Sequence, residues 1–572
     1  MRSIYVDWVL GLGAALVLLL WLALPSRLPA LGWSGLVVVG SAARLYALYP
    51  VRMRTASRTA LRVVLTVENG ALALALLLAF GLRFAGLSQS LPYFDNPDEP
   101  TMVNGALKMV QTGDFNPHYF RWPSLPIYLQ FVISVPTFFA GVSNATIKSL
   151  SDIPTENFFL AGRVMSAALG VATVFLTFLI GRRLYGARVG LLAAVVLAVL
   201  PLHSEHSHYV TPDIMVTFFA TLTLLFAVYI YQTGAKHWYW WAGIAVGLTL
   251  GSKYNVAVVF LTVLLAHFLT PRLRRGRWTW LVGSGGMAVL TFLFTTPFAL
   301  FDLPGFLNEM AFQVRHYTIL GHGSASEGAS WFFYLSSFYS EGFVYQASAV
   351  AAGGVLVALL RQQREDWLVL SFPAVGYFFF SSARVHFSRN LIPLLPPLAI
   401  LSAVFLIVVA GWLLRFSPAA WKSGSRKNIV LTGLVGLLFV ASFAFAVQHS
   451  LLTDRYYLQP DTRRMAGAWI VQNIPAGTHL RLEPETPILP TGLYPGAEER
   501  RPIGSRPPEW YRQQGYDYLV ASSYYYRDLM ATDPEAATNY QTLFTTGQLV
   551  IEFPGESNDY PGPTIKIFKV AK

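Results

Sequence analysis

The feature that most constrains this chain is a succession of long apolar runs. A helix that crosses a bilayer needs about 20 mostly apolar residues. Runs near that size, some shorter, lie at 4–24, 31–49, 63–87, 158–181, 187–202, 211–232, 238–251, 254–270, 279–300, 343–360, 367–381, 390–414 and 428–448. Hydrophobic residues make up 54% of the 572 and charged residues only 13%, against about 25% charged in a soluble globular chain. A core of ordinary size cannot absorb that much apolar surface, whereas a bilayer can. The sequence therefore predicts an α-helical polytopic membrane protein with about 13 transmembrane helices. Ile4 to Leu24 has no small-residue cleavage site behind it and reads as a retained span.

The formal net charge of +12 would suggest a nucleic-acid partner in a soluble protein. Here the basic residues cluster in short loops between apolar runs, as in membrane orientation, and no nucleic-acid partner is expected. The run at 125–142 is also apolar. Counting it as a span would put Arg182, Arg183 and Arg188 outside. Treating it as a re-entrant or interfacial helix places eighteen loop Lys and Arg inside and eight outside. The positive-inside rule then makes 88–157 a large outer loop and puts the C-terminus outside.

From about residue 449 the apolar runs shorten and turn residues become frequent. Asp461 to Asn473 reads as a helix. His479–Glu483, Tyr516–Ser523, Leu549–Phe553 and Thr564–Val570 read as strands. The expected organisation is a transmembrane domain over 1–448, with the large outer loop at 88–157, and a small extracytoplasmic α/β domain over 449–572. The chain has no Cys, which excludes disulfides and thiolate chemistry.

The unusual polar groups concentrate in the outer loops. In Phe94-Asp95-Asn96-Pro97-Asp98-Glu99-Pro100, Asn96 can cap a helix that Pro97 opens and Gly113 ends. Asp98 and Glu99 then have two readings. They are first-turn acids that complement the helix dipole, or a carboxylate held on a helix near the bilayer surface, where it can act as a base. A second group, His203-Ser204-Glu205-His206-Ser207-His208 with Asp213, is a wet interfacial loop or a His–carboxylate set able to bind a divalent cation such as Mg, Mn or Zn. A third is cationic. Lys253 interrupts an apolar stretch beside Tyr254, and Arg389 opens a span just after His386. Each cation can simply snorkel to water. Two cations at one interface also suit an anionic lipid headgroup, and Arg315, His316 and His322 can add to them.

Taken in order, these residues resemble the GT-C superfamily of polyprenyl-phosphate-sugar-dependent glycosyltransferases, over about residues 63–415. The branch most similar holds protein O-mannosyltransferases, lipid A aminoarabinose transferases and related bacterial sugar transferases. The motifs that carry the resemblance are Asn96-Pro97-Asp98-Glu99, Arg121-Trp122-Pro123-Ser124-Leu125-Pro126, Ala161-Gly162-Arg163-Val164 leading to Gly181-Arg182-Arg183-Leu184-Tyr185-Gly186, His206-Ser207 with Pro212-Asp213, Gly251-Ser252-Lys253-Tyr254, and Ser388-Arg389-Asn390 with Pro393 and Pro396.

The resemblance implies an active site on the extracytoplasmic face. Asp98 matches the catalytic base, with Glu99 supporting it. Asp213 matches the second-loop acid that assists or, with His206, binds metal. Lys253 and Arg389 match positions that hold the carrier phosphate, with Tyr254 and His386 beside them. His203, Arg315, His316 and His322 are further candidates. The implied donor is a polyprenyl-phosphate-linked sugar in the membrane lipid, and the acceptor is a lipid, glycan or protein hydroxyl. Two spans before residue 50 are additional to the family core, a central β-trefoil domain is absent, and Trp240-Trp241 is followed by Ala242 and not by Asp. These departures leave the acceptor open. A polytopic transporter or flippase of a lipid-linked sugar is the alternative. Its charges should cluster near mid-membrane, whereas these fall at span ends.

Overall fold

The computed structural model describes residues 67–94, 96–150, 153–271, 278–321, 330–416, 418, 424–497, 500–555 and 559–570. The runs expected at 4–24 and 31–49, and His322, lie outside the described residues. The chain divides into two compact units, one of residues 1–84 with 98–451 and one of residues 85–97 with 452–572.

The first unit is helical. Its main helices are α1 (Val67–Phe84), α2 (Glu99–Thr112), α3 (Leu125–Ser143), α4 (Glu156–Tyr185), α5 (Ala187–Val199), α6 (Pro201–His206), α7 (Pro212–Thr233), α8 (Lys236–Ser252), α9 (Phe260–Leu269), α10 (Trp278–Thr295), α11 (Leu303–Arg315), α12 (Gln346–Arg361), α13 (Arg364–Ser381) and α14 (Leu395–Leu413). A further helix, α15 (Gly424–Tyr457), leads out of it. The protein is a polytopic α-helical membrane protein, but the expected count of about 13 spans is corrected. Among the described residues, six helical stretches are long and apolar enough to cross a membrane: Leu125–Ser143, Glu156–Tyr185, Pro212–Thr233, Trp278–Thr295, Ser388–Phe416 and Lys427–Asn473.

Part of the shortfall has local causes. The run at 187–202 is cut by Pro201, which ends α5 and opens α6. The run at 254–270 begins as a 3₁₀ turn, so its α-helix has only 10 residues. The run at 343–360 gives a 16-residue helix. The run at 125–142, expected as a re-entrant or interfacial helix, forms one continuous 19-residue helix with the length and composition of a span.

The inner helices of this unit are α5, α7 and α14, apolar nearly all round and lined by buried residues, as helices without an exposed face must be. Small residues let the backbones approach. A Cβ on Gly190 of α5 would lie 2.6 Å from the Phe178 carbonyl of α4, and one on Gly354 of α12 would lie 2.5 Å from the Leu401 carbonyl of α14. Close backbone contact at small residues is how helices associate where lipid removes the hydrophobic drive.

The second unit contains α16 (Thr462–Asn473), α17 (Ser523–Thr532) and α18 (Pro534–Thr546) around a four-stranded sheet. The strands are β1 (Leu480–Leu482), β2 (Tyr518–Ser522), β3 (Gln548–Phe553) and β4 (Ile565–Lys569), in the order β1-β2-β4-β3. β1 runs parallel to β2, and the other pairings are antiparallel. The Asp461 side chain caps α16 by accepting from the Arg463 amide. A buried carboxylate, Glu483, accepts from the Tyr540 hydroxyl and from the amides of Ile503 at 2.8 Å and Ser522 at 2.7 Å. Buried acids persist when their lone pairs are satisfied in this way.

Candidate functional site

The acidic loop enters α2 at Asp98. The structure makes Asp98, not Asn96, the N-cap residue, with Pro100 in the first turn and Gly113 ending the helix at φ 71°. Proline is tolerated there because the first-turn amides lack helical partners anyway, and glycine takes the left-handed conformation at no steric cost. The Asp98 side chain makes no capping hydrogen bond. It turns to Arg389, whose Nη1 lies 2.6 Å from its Oδ2.

Glu99 turns the other way, into the helical unit. Arg163 of α4 grips it from Nε at 2.9 Å and Nη2 at 2.7 Å, and the Val210 amide donates to Oε1 at 2.9 Å. Both side chains are fully buried. This bidentate pair ties α2 to α4 and to the stretch just before α7.

Asp213 sits in the first turn of α7 because Pro212 opens that helix. Lys253 ends α8 in an extended conformation, with φ −158°. Its Nζ donates to Asp213 Oδ1 at 2.8 Å and to Asn390 Oδ1 at 2.9 Å, and Asn390 Nδ2 donates to the Tyr334 hydroxyl at 3.0 Å. His386 packs on Phe333, with ring centroids 4.1 Å apart, and faces Tyr334. Arg389 lies over the Phe387 ring at 4.3 Å.

These groups share one electrostatic neighbourhood. Burial pushes the Asp98 carboxyl above its ordinary range. Arg389 and, less strongly, Lys253 pull it back, while the negative charge of Asp213 adds to the rise. Asp213 in turn feels Lys253, Arg389 and His206. Asp98, Asp213, Lys253, Arg389 and His206 therefore converge, although they are widely separated in sequence. Tyr317, two residues past the end of α11, also lies in the field of Arg389, Asp213 and Asp98.

The remaining candidates are placed differently. Tyr254 donates its hydroxyl to the Phe120 carbonyl at 3.1 Å, bracing the loop that precedes α3. His203 is buried against α1, where Arg83 Nη2 lies 3.0 Å from its Nδ1 and also donates to the Leu197 carbonyl at 3.2 Å. Arg315 is exposed at the end of α11, and His316 stacks on Phe312 with centroids 5.7 Å apart.

As metal ligands the residues fit poorly. His206 Nδ1 is buried without a hydrogen-bond partner, and burial pushes its imidazole down to about 4, so the ring is neutral, as a ligand must be. The Asp213 carboxylate, however, already carries the Lys253 ammonium. Among the described residues no group of three or more His, Asp or Glu is arranged to hold an ion.

Sequence reasoning passed over Arg163 and Tyr334 as site residues. Arg163 carried a signal: an arginine inside an apolar helix must find an acid. Tyr334 carried none.

Residues 146–301 match the family described as dolichyl-phosphate-mannose-protein mannosyltransferase. That stretch includes Arg163, His206, Asp213 and Lys253. No curated protein matches the chain at a significant level. Among solved structures, ArnT from Cupriavidus metallidurans in the apo state is similar at 16% identity and a TM-score of 0.51, with 90% of this chain and 98% of that one covered. The oligosaccharyltransferase AglB from Archaeoglobus fulgidus, in complex with an inhibitory peptide and a dolichol-phosphate, is similar at 12% identity and a TM-score of 0.50, covering 82% of this chain and 71% of that one. The chain thus shares the fold of ArnT and AglB.

Proposed function

We propose that the protein is an inverting glycosyltransferase of the GT-C type. It moves a sugar from a polyprenyl-phosphate carrier to a lipid, glycan or protein hydroxyl on the extracytoplasmic face. The observation that carries the reading is the pairing of Asp98 with Arg389 beside Asp213 with Lys253. It supplies a base and two cations in one place, on a fold that in AglB is found with a dolichol-phosphate.

In the proposed displacement the acceptor oxygen forms a bond to the anomeric carbon as the carbon–phosphate oxygen bond breaks. The electron pair leaves on the phosphate and the acceptor proton passes to Asp98. Two acids and two cations balance before reaction. Once Asp98 is protonated, Arg389 loses its counter-charge just as the leaving phosphate gains one. Proton uptake and leaving-group stabilisation are thereby coupled. Lys253, held by Asn390, is the second phosphate contact. Glu99 positions α2 through Arg163, and His386 backs Tyr334.

The test is release of polyprenyl phosphate from a synthetic polyprenyl-phosphate hexose, in vesicles made with the total lipid of the native membrane. Asp98→Asn is assayed beside the parent, with binding of the same donor measured separately. Near-parental turnover by a folded Asp98→Asn protein removes Asp98 as the base. The outer-face assignment rests on the distribution of Lys and Arg. In this Cys-free chain, Ser505→Cys should react with an impermeant thiol reagent from outside and Gln362→Cys should not; the reverse pattern overturns it.

A further inference from the structure

The chain changes direction beyond the end of α10. That span closes at Thr295, and Asp302 breaks the helical backbone with φ −126° and ψ 55°. The Asp302 carboxylate caps α11 by accepting from the Gly305 amide at 3.2 Å, and Asn116 Nδ2 donates to its other oxygen at 2.9 Å. A Cβ on Gly305 would lie 2.8 Å from that carboxylate, so the close approach needs glycine. The helix that starts there has 13 residues, none of them buried. It is about 20 Å long, too short to cross a hydrocarbon core of about 30 Å.

The surface of α11 is divided lengthwise. One side is held by the loop before α3. Glu309 lies 3.0 Å from Arg121 Nε, Gln313 Nε2 donates to the Arg121 carbonyl at 2.7 Å, and the Arg121 guanidinium stands 4.4 Å from the Phe312 ring centroid. A second side carries Leu303, Leu307 and Val314, which are 45, 55 and 61% exposed. Their spacing of four and then seven residues puts them on one stripe. Asn308 and Arg315, also exposed, mark a third and polar side. The apolar exposure does not begin at α11. Phe294 in the span, then Leu300 and Phe301, are the exposed residues that lead up to Leu303. The lipid-facing surface of α10 thus continues into the stripe without a polar break.

We propose that α11 is an interfacial helix that lies along the membrane surface at that end of α10, with Leu303, Leu307 and Val314 in the acyl boundary and Asn308 and Arg315 among headgroups and water. The partner is the phospholipid bilayer. Continuity with the exposed face of a span identifies it, and Arg315 has the charge that suits lipid phosphates. Two residues past α11, Tyr317 lies in the field of Arg389, Asp213 and Asp98. A helix bedded in the interface therefore sets the candidate site near the depth of lipid phosphates. The docking goes beyond the reaction proposed above and is tested without it.

The chain has no Cys, so single cysteines can carry a bimane fluorophore in the full-length protein. Leu307→Cys, Val314→Cys and Asn308→Cys are labelled and reconstituted at low density into vesicles of equal parts phosphatidylcholine and phosphatidylglycerol. Emission is quenched by phospholipid with a nitroxide near the headgroup end of its acyl chain, by phospholipid with the nitroxide at mid-bilayer, or by aqueous iodide. The shallow nitroxide should quench the labels at 307 and 314 at least about twofold more than the label at 308, and iodide should do the reverse. Positions 307 and 314 are about 10 Å apart along a helix axis, so an in-plane helix requires the same depth at both, with the mid-bilayer nitroxide weaker at each. A preference of either label for the mid-bilayer nitroxide means an upright helix and overturns the proposal. Iodide access at 307 and 314 equal to that at 308 places the stripe in water and also overturns it. Protection of 307 and 314 from all three quenchers overturns it in favour of a protein neighbour, such as a second copy. Should a labelled variant fail to fold, Leu303→Cys on the apolar stripe or Arg315→Cys on the polar side takes its place.

Discussion

Asp98 and Glu99 are neighbours in the chain and both make ion pairs with arginine, yet the two pairs occupy opposite environments. The Glu99–Arg163 pair is 0% exposed, bidentate, and supplemented by a backbone amide. The Asp98–Arg389 pair retains 21% and 24% exposure, and its carboxylate stands beside a second acid–cation pair. The Glu99 carboxylate accepts three hydrogen bonds in a site closed to solvent. The Asp98 carboxylate is partly open to solvent, as a group that exchanges a proton must be. The comparison therefore sets a carboxylate that ties helices together against the one proposed as the base, within two consecutive residues.

The sharpest way to break that comparison is to neutralise each acid with its isostere. Asp98→Asn should reduce kcat by about 10²–10⁴-fold, the range for a positioned general base, with donor binding and thermal stability close to parental. If Asp98 merely complements the α2 dipole, the same change costs at most about 1 kcal/mol of stability and spares turnover. The missing capping hydrogen bond at Asp98 already weakens that alternative.

The buried pair should respond in the opposite currency. Glu99→Leu or Arg163→Met alone leaves a charge in a sealed site and should cost about 3–5 kcal/mol of stability. The double replacement should recover most of the loss, because both charges leave together. Thermal unfolding in detergent across the four proteins measures this. A double variant no more stable than the singles would show that the pair is not an isolated structural tie.

How much of this was readable beforehand follows the same division. Apolar runs, strand signals and capping residues act locally, and the sequence shows them: the four strands expected in the C-terminal region form within one or two residues of their expected ends. The helices Ser523–Thr532 and Pro534–Thr546 were not anticipated, although Asp533 before Pro534 is a capping signal. Aromatic residues at 524–526 favour strand and mask the helix period. At the site, residue types and order were legible, but partners were not. Nothing local joins Asp98 to Arg389 or Lys253 to Asn390, since those contacts come from helix packing. Nor could the sequence reveal that 85–97 folds with the C-terminal unit, because its apolar residues read equally well as the end of a span.

The two cations sharpen the comparison on the open side. Lys253→Ala and Arg389→Ala should each weaken donor binding by about 1.5–3 kcal/mol, the worth of a charge-assisted hydrogen bond. Arg163→Ala, though it also removes a cation, should leave donor affinity unchanged in whatever fraction remains folded, because its guanidinium is committed to Glu99. Equal losses of donor affinity for Arg163→Ala and Arg389→Ala would erase the distinction between the two pairs.

The smallest expected effect concerns pH, and its sign follows from the surroundings of Asp98. A base works when deprotonated, so turnover should fall as pH drops through the Asp98 titration, by about tenfold per unit once well below it. Burial places that limb above the ordinary aspartate range, and Arg389 restrains the rise. Removing the Arg389 charge should therefore move the acid limb of kcat to higher pH. Lys253→Ala should move it the same way by less. Asp213→Asn should move it down, because the Asp213 charge is what further disfavours ionisation of Asp98. Glu99→Gln should leave the limb where it is, since neither Glu99 nor Arg163 figures among the charges that act most on Asp98. The measurement is a pH–kcat profile at saturating donor for the four variants and the parent. A limb that stays put in Arg389→Ala, or moves in Glu99→Gln, would mean that the titrating group is not Asp98.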